Sequence, residues 1–168
     1  WRDDKAFISQ FELGIQNVLY WFEQKMQPNG LMGKMEWWGA LAWPRHYQNG
    51  EPPSIYEGNN TLYTLHYAYT LRHAAAIFEF MGKREKADWC RRRADHICNS
   101  VNRLCKNKDG FYIESPQHFQ VSQITNLMAI LADAVTGNEA RLLMERLLEP
   151  KDWFGQVDLF LHLYLFEA

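Results

Sequence analysis

The most constraining feature of the chain is a pair of long helical segments joined by almost nothing. The first is capped by Asn59 or Asn60 and runs to Met81, with Leu62, Leu65, Ala68, Tyr69, Ala75, Ala76 and Phe80 along it. Gly82 follows, a residue that takes left-handed backbone without a Cβ clash and so suits the end of a helix. The second segment runs from about Arg84 to Cys105. With so few residues between them, the two helices can only form an antiparallel hairpin. Ala74, Ala75 and Ala76 give the first helix a small-residue surface that allows close approach.

The rest of the chain repeats this style. A first helix is predicted over Asp4 to Lys25, with Phe7, Phe11, Ile15, Val18, Leu19 and Phe22 at helical spacing and Pro28-Asn29-Gly30 as its stop. A long loop to Asn60 follows, punctuated by Gly33, Gly39, Pro44, Gly50, Pro52, Pro53 and Gly58. Asn107-Lys108-Asp109-Gly110 reads as a turn, Phe111-Tyr112-Ile113 as a short strand or extended segment, and Ser115-Pro116 as the start of another loop. Further helices are predicted over Ser122 to Val135, Glu139 to Leu148 and Val157 to Phe166. No fixed repeat period of the tetratricopeptide kind is present. The expected class is all-α, a stack of helix pairs open at both ends. Closing such pairs into a ring would gather one set of loops at one mouth.

At 168 residues the chain suits one domain. A formal net charge of -2 gives no drive toward nucleic acid or an anionic membrane. Arg91-Arg92-Arg93, with Lys83, Arg84 and Lys86, forms one basic cluster, read as a solvated helix face balanced by Glu85, Asp88 and Asp95. Cys90, Cys98 and Cys105 share a face with Ala87, Ala94, Ile97 and Val101. Three cysteines with no CxxC pair point to buried structural thiols and away from disulfides or zinc. No stretch is long and apolar enough to span a bilayer, and no signal peptide is visible. A start at Trp1 and a strongly apolar last helix lead us to expect an excised piece of a larger protein.

Chemistry is concentrated in the long loop. Trp37, Trp38 and Trp43 fall in Met35-Glu36-Trp37-Trp38-Gly39-Ala40-Leu41-Ala42-Trp43-Pro44-Arg45-His46. Indoles converging near Glu36, Arg45 and His46 could line a sugar-sized cleft; they could equally fold into a mini-core of the loop itself. An ordered loop of this length is usually functional, and its aromatics argue against disorder. There is no Gly-rich phosphate loop, no nucleophile elbow and no HExxH metal pair, so no cofactor or metal is expected. His66 and His73 share a helix face and read as packed or hydrogen-bonded histidines, while His96, His118 and His162 stand isolated. Glycoside hydrolysis needs two carboxylates across a sugar site. The loop candidates are Glu36, Glu51, Glu57 and Glu114, with Glu36 first because it adjoins the tryptophans.

Several stretches, taken in order, resemble the catalytic domain of bacterial α-L-rhamnosidases of glycoside hydrolase family 78. They are Trp37-Trp38 with Trp43-Pro44, Tyr56-Glu57-Gly58-Asn59-Asn60-Thr61-Leu62-Tyr63, and Tyr67-Ala68-Tyr69-Thr70-Leu71-Arg72-His73-Ala74-Ala75-Ala76 with Met81-Gly82. Further on come Ala87, Arg93-Ala94-Asp95, Asn107-Lys108-Asp109-Gly110-Phe111-Tyr112 and Ser122-Gln123-Ile124-Thr125-Asn126-Leu127-Met128-Ala129-Ile130-Leu131. The resemblance implies that residues 1–168 are one inner portion of an (α/α)6 toroid. It implies an inverting hydrolase that releases terminal L-rhamnose from glycosides or polysaccharides. The general acid should then precede Trp1 and the general base follow Ala168, so that this chain alone is inactive and depends on the rest of its catalytic domain. A periplasmic or extracellular location is favoured by the family. Substrate-side residues would be Glu36, Trp37, Trp38 and Trp43, with Arg45 and His46 secondary. Two positions depart from the family pattern: Ala42 stands where aspartate is common, and Ile124 where histidine is common. These point to altered specificity or a non-catalytic relative. Two rival readings follow: another α/α-toroid glycosidase or lyase, and a helical-repeat interaction or carbohydrate-binding module in which the indoles turn inward against Phe78 or Phe119.

Overall fold

A computed structural model describes residues 4–37, 39, 43–44, 47–149, 155–157 and 161–168. Its centre is the predicted hairpin. Helix α3 spans Thr61–Phe80 and α4 spans Arg84–Leu104. The Asn60 side chain caps α3 by accepting from the Tyr63 amide at 2.9 Å. At the other end the Lys83 amide donates to the Phe78 carbonyl at 2.7 Å and the Gly82 amide to the Glu79 carbonyl at 2.8 Å. This paired closure turns the chain through Gly82, whose φ is +78°. Leu62, Leu65, Leu71 and Phe78 of α3 are buried with Ala87, Ala94, Ile97 and Val101 of α4. Ala74 and Ala75 lie in this core, while Ala76 faces outward.

Cys90, Cys98 and Cys105 are free and buried, as their shared face predicted. Burial pushes each thiol up to about 11, so the unreactive protonated form dominates at neutral pH.

The turn that follows the first predicted helix is set by Gly30, at φ +86°. A Cβ there would lie 2.2 Å from the Ser100 hydroxyl oxygen of α4. Gly30→Ala therefore combines left-handed backbone with overpacking. We expect it to lower stability by about 2–3 kcal/mol, read as a fall in the urea midpoint at constant m-value.

The first predicted helix is two. Helix α1 covers Lys5–Ser9 and α2 covers Glu12–Glu23. The Gln10 and Phe11 amides reach back only three residues, to Phe7 and Ile8, at 3.2 and 3.0 Å, which tightens and ends the first helix. Little packing opposes this break. Leu19 alone is buried on α2, and Phe7, Phe11 and Val18 of the predicted apolar stripe are exposed.

The basic cluster is more than a solvated face. Arg93 forms an ion pair with Glu23 at 2.7 Å, and Lys86 one with Glu12 at 2.6 Å, so α4 holds α2 by charge. The Lys86 hydrogen bond keeps the Glu12 carboxyl below its usual range. Arg91 pairs with Asp88 and Glu79 on the surface, where such pairs contribute little.

Beyond α4 the chain forms a small antiparallel hairpin, β1 (Ile113–Ser115) and β2 (His118–Val121), in which Ile113 faces Val121 and Ser115 faces His118. The strand predicted over Phe111–Ile113 thus begins two residues later, and its partner lies where a loop was expected. The Ser115 hydroxyl accepts from the Gln117 and His118 amides at 3.2 and 3.0 Å and closes the turn at Pro116.

Helix α5 (Gln123–Leu131) is capped by Ser122, whose hydroxyl accepts from the Thr125 amide at 3.3 Å. It stops short of Val135 because Asp133 turns left-handed at φ 55°. The freed Ala132 carbonyl accepts instead from Arg72 Nε, at 2.6 Å. Helix α6 spans Gly137–Leu148 and α7 spans His162–Glu167. The last helix was predicted from Val157 to Phe166; Val157 is not helical, 158–160 lie outside the described residues, and the helix runs one residue further, to Glu167. Tyr69 of α3 meets His73 edge-on at 4.3 Å and donates its hydroxyl to Glu167 of α7 at 2.8 Å. His66 is half-buried, and burial lowers its pKa, whereas His73 is exposed beside Tyr69.

Candidate functional site

The described parts of the long loop between α2 and α3 are tied down at several points. The Met32 amide donates to the Thr64 hydroxyl at 2.8 Å, and the Met35 amide to the Ile55 carbonyl at 2.9 Å. The Tyr63 hydroxyl donates to the Gly39 carbonyl at 2.6 Å, and the Gly39 amide to Glu51 at 3.3 Å. Tyr47, from the far part of the loop, donates its hydroxyl to Glu114 on β1 at 2.8 Å. Leu31, Met32, Met35, Tyr47 and Ile55 are buried and form the base of the loop. The mini-core therefore exists, but it is built from these residues. Trp37 is 74% exposed and Trp43 58% exposed. Phe78 is buried between the helices and Phe119 is itself exposed.

The residues predicted to face substrate fall into two groups. Glu36, Trp37 and Trp43 are exposed on the loop, with Glu36 ion-paired to Lys25 at 3.2 Å. Trp38, Arg45, His46 and Ala42 lie outside the described residues. Ile124 is a core residue at the start of α5.

The four candidate carboxylates have separate fates. Glu114 is not a loop residue: it sits on β1, fully buried. Besides Tyr47, it accepts from the Thr125 hydroxyl at 3.1 and 3.2 Å. Burial and the neighbouring Glu114 charge push the Tyr47 phenol well above its usual range, so it remains a proton donor. This network joins the tryptophan loop to the β-hairpin and to the first turn of α5.

Glu51 and Glu57 meet in a polar cleft of about 330 Å³, lined by Gln48, Glu51, Tyr56, Glu57, His118 and Gln120. Pro52, Pro53, Ser54 and Ile55 complete its wall. The Tyr56 hydroxyl donates to Glu51, which raises the Tyr56 phenol. His118 Nε2 lies 3.1 Å from Glu57. Reading the sequence missed His118, Gln48 and Gln120. The alternation in His118-Phe119-Gln120-Val121 is the one signal that could have placed His118 and Gln120 on the same face of a strand.

Sequence comparison matches no family model and no curated protein. Solved structures do match. A glycoside hydrolase family 78 rhamnosidase of Bacillus sp. GL1 superposes over 98% of this chain with a TM-score of 0.81 and 22% identity. A rhamnosidase from Klebsiella oxytoca, solved with rhamnose bound, superposes over 97% with a TM-score of 0.71 and 16% identity. The chain spans 17% and 29% of the lengths of those two proteins. At these identities the likeness is one of fold. The helical hairpins with their small two-stranded sheet are a portion of an α/α-toroid architecture. More particularly, the chain has a glycoside-hydrolase-like fold of the kind seen in rhamnosidases.

Proposed function

We propose that the chain is one portion, as a single unit, of the catalytic domain of an α-L-rhamnosidase-like glycoside hydrolase. The likeness of fold to a family 78 rhamnosidase over 98% of the chain carries this reading. The exposed Trp37 and Trp43 on a pinned loop support it, since an indole held open to solvent offers a flat apolar plate to a sugar ring. In this proposal Trp37, Trp38 and Trp43 form the wall of the rhamnose site, and Glu36, Arg45 and His46 supply hydrogen bonds to its hydroxyls. Glu36, already paired with Lys25, acts as an acceptor.

The chemistry proposed is an inverting displacement. A carboxylic acid protonates the leaving glycosidic oxygen, and a carboxylate on the other face of the sugar takes a proton from the attacking water. The two groups stand roughly 6.5–9.5 Å apart to admit that water. Both belong, in this reading, to sequence outside these residues, and the chain alone is inactive.

The test is hydrolysis of an aryl α-L-rhamnoside by the full-length protein, with the released sugar followed by NMR. The β anomer should appear first. Trp43→Ala should lower kcat/KM about tenfold by loss of stacking. No turnover of this substrate by correctly folded protein would overturn the hydrolase reading. Binding without turnover would make the protein a carbohydrate-binding relative.

A further inference from the structure

We propose that Tyr63 and Glu51 are positioning residues: together they grip Gly39 and hold the tryptophan loop in the shape that meets the sugar. That the ligand is a sugar rests on the reading above; that Gly39 is gripped rests on its own geometry.

Gly39 is held by both of its backbone polar groups. Its carbonyl accepts from the Tyr63 hydroxyl at 2.6 Å, and its amide donates to Glu51 Oε1 at 3.3 Å. The two grips come from different parts of the fold. Tyr63 stands in the first turn of α3, where its amide donates to the Asn60 side chain. Burial, and then the Glu51 charge, raises the Tyr63 phenol to about 12, so it stays a donor at neutral pH. Glu51 follows the tight turn at Asn49 and Gly50, both left-handed, and its amide donates to the Gln48 carbonyl at 2.9 Å. The Tyr56 hydroxyl donates to the same Oε1 and so helps to aim the carboxylate at Gly39.

The grip also explains why position 39 is glycine. A Cβ there would lie 2.3 Å from the Tyr63 hydroxyl oxygen and 2.7 Å from Ile55 Cδ1. Ile55 is buried in the base of the loop, and its carbonyl accepts from the Met35 amide. No side chain at 39 fits while the Tyr63 hydroxyl keeps its bond to the Gly39 carbonyl.

What the grip secures is the place of the indoles. Gly39 lies two residues after Trp37 and four before Trp43, both of which face solvent. An exposed side chain takes its position chiefly from its backbone. An aromatic plate already in place loses less conformational freedom when a ring stacks on it, so the grip lowers the cost of binding. The plates, as proposed, touch the sugar in the ground state and the transition state alike. Loosening them should therefore raise KM and leave kcat nearly unchanged.

The experiment joins hydrogen exchange, followed by mass spectrometry, to the kinetics of aryl α-L-rhamnoside hydrolysis, both on the full-length protein. Tyr63→Phe and Glu51→Ala should each speed exchange in peptides spanning 35–46 about tenfold. Each should raise KM about three- to fivefold and keep kcat within about twofold. Glu51→Gln keeps an accepting Oε1 and should stay near the parent in both readouts. Gly39→Ala displaces the Tyr63 hydroxyl by itself. Adding Tyr63→Phe to it should change KM by less than about 1.5-fold, where independent sites would add their full effects. The single variants carry the test if Gly39→Ala does not fold. Ile97→Val, in the core of α4, should lower Tm and move neither readout, which separates the grip from a general loss of stability. Unchanged exchange in Tyr63→Phe and Glu51→Ala, or full additivity in the double variant, overturns the grip. Faster exchange with unmoved KM overturns its role in binding, and the hydrolase reading then stands without it. If the variants exchange faster but the parent cleaves no rhamnoside, the grip stands and the rhamnosidase reading fails.

Discussion

Glu114→Ala should destabilise the protein by about 3–5 kcal/mol and loosen the tryptophan loop at the same time. Glu114 is fully buried and accepts from Tyr47 and Thr125. Alanine deprives both hydroxyls of this acceptor and opens a cavity where the carboxylate was. Each buried donor left unsatisfied costs about 1–3 kcal/mol, and the cavity adds to that. Tyr47 also lies 3.4 Å from the Ser122 hydroxyl, which itself donates to Thr125 at 3.0 Å, so the loss spreads through one network. Tyr47→Phe keeps the ring and should cost less, about 1–2 kcal/mol. Urea denaturation measures the stability. Quenching of tryptophan fluorescence by acrylamide measures the loop, because Trp43 lies four residues before Tyr47. A Glu114→Ala cost below about 1 kcal/mol would mean that this network does not hold the loop to the hairpin.

Asn126→Ala is the second large effect, at about 3–4 kcal/mol. Asn126 is fully buried on α5. Its Oδ1 accepts from the Tyr112 amide at 2.8 Å, while its Nδ2 donates to the carbonyls of Tyr112 and Ser122 at 2.9 and 2.8 Å. The side chain thus replaces a missing strand for Tyr112 and clamps the segment entering β1 onto α5. Alanine strands both backbone groups of Tyr112. Asn126→Asp tests the geometry separately, because it keeps the acceptor and turns a donor into an oxygen facing two carbonyls. Ionisation is then disfavoured in the fold, so the aspartate's folded pKa is raised. Stability of this variant should be greatest below about pH 3.9, where the side chain is protonated in both states, and should fall as pH rises through the raised value. An Asn126→Asp protein whose stability does not fall with pH relative to the parent would exclude this arrangement.

Both effects lie in the part of the molecule that was hardest to read. The α3–α4 hairpin was legible because its determinants are local: the Asn60 cap, the Gly82 turn and the apolar stripes all act within a few residues. The start of the helix near Ser122 and the three buried cysteines were legible for the same reason. The second strand was not. Of β2 only Val121 is buried, and what makes His118–Val121 a strand is its pairing with β1. Nor could composition separate Glu114 from the other loop glutamates. A glutamate ordinarily stays in solvent, and the hydroxyls that hold this one come from Tyr47 and Thr125, 67 and 11 residues away. The early break in the first helix has the same origin in reverse, since its apolar periodicity was real but Phe7, Phe11 and Val18 stay exposed, with Phe7 and Phe11 edge-on to each other at 5.2 Å.

By itself, then, the sequence determined the helices of the hairpin, their caps and the crowding of aromatics into one loop, because backbone hydrogen bonds and cap geometry depend on neighbours along the chain. Tertiary structure decided which of those aromatics face solvent, which glutamate is buried and which two line a cleft. Those outcomes depend on which distant segments pack together and exclude water, and a side chain's spacing along the chain carries no record of those contacts.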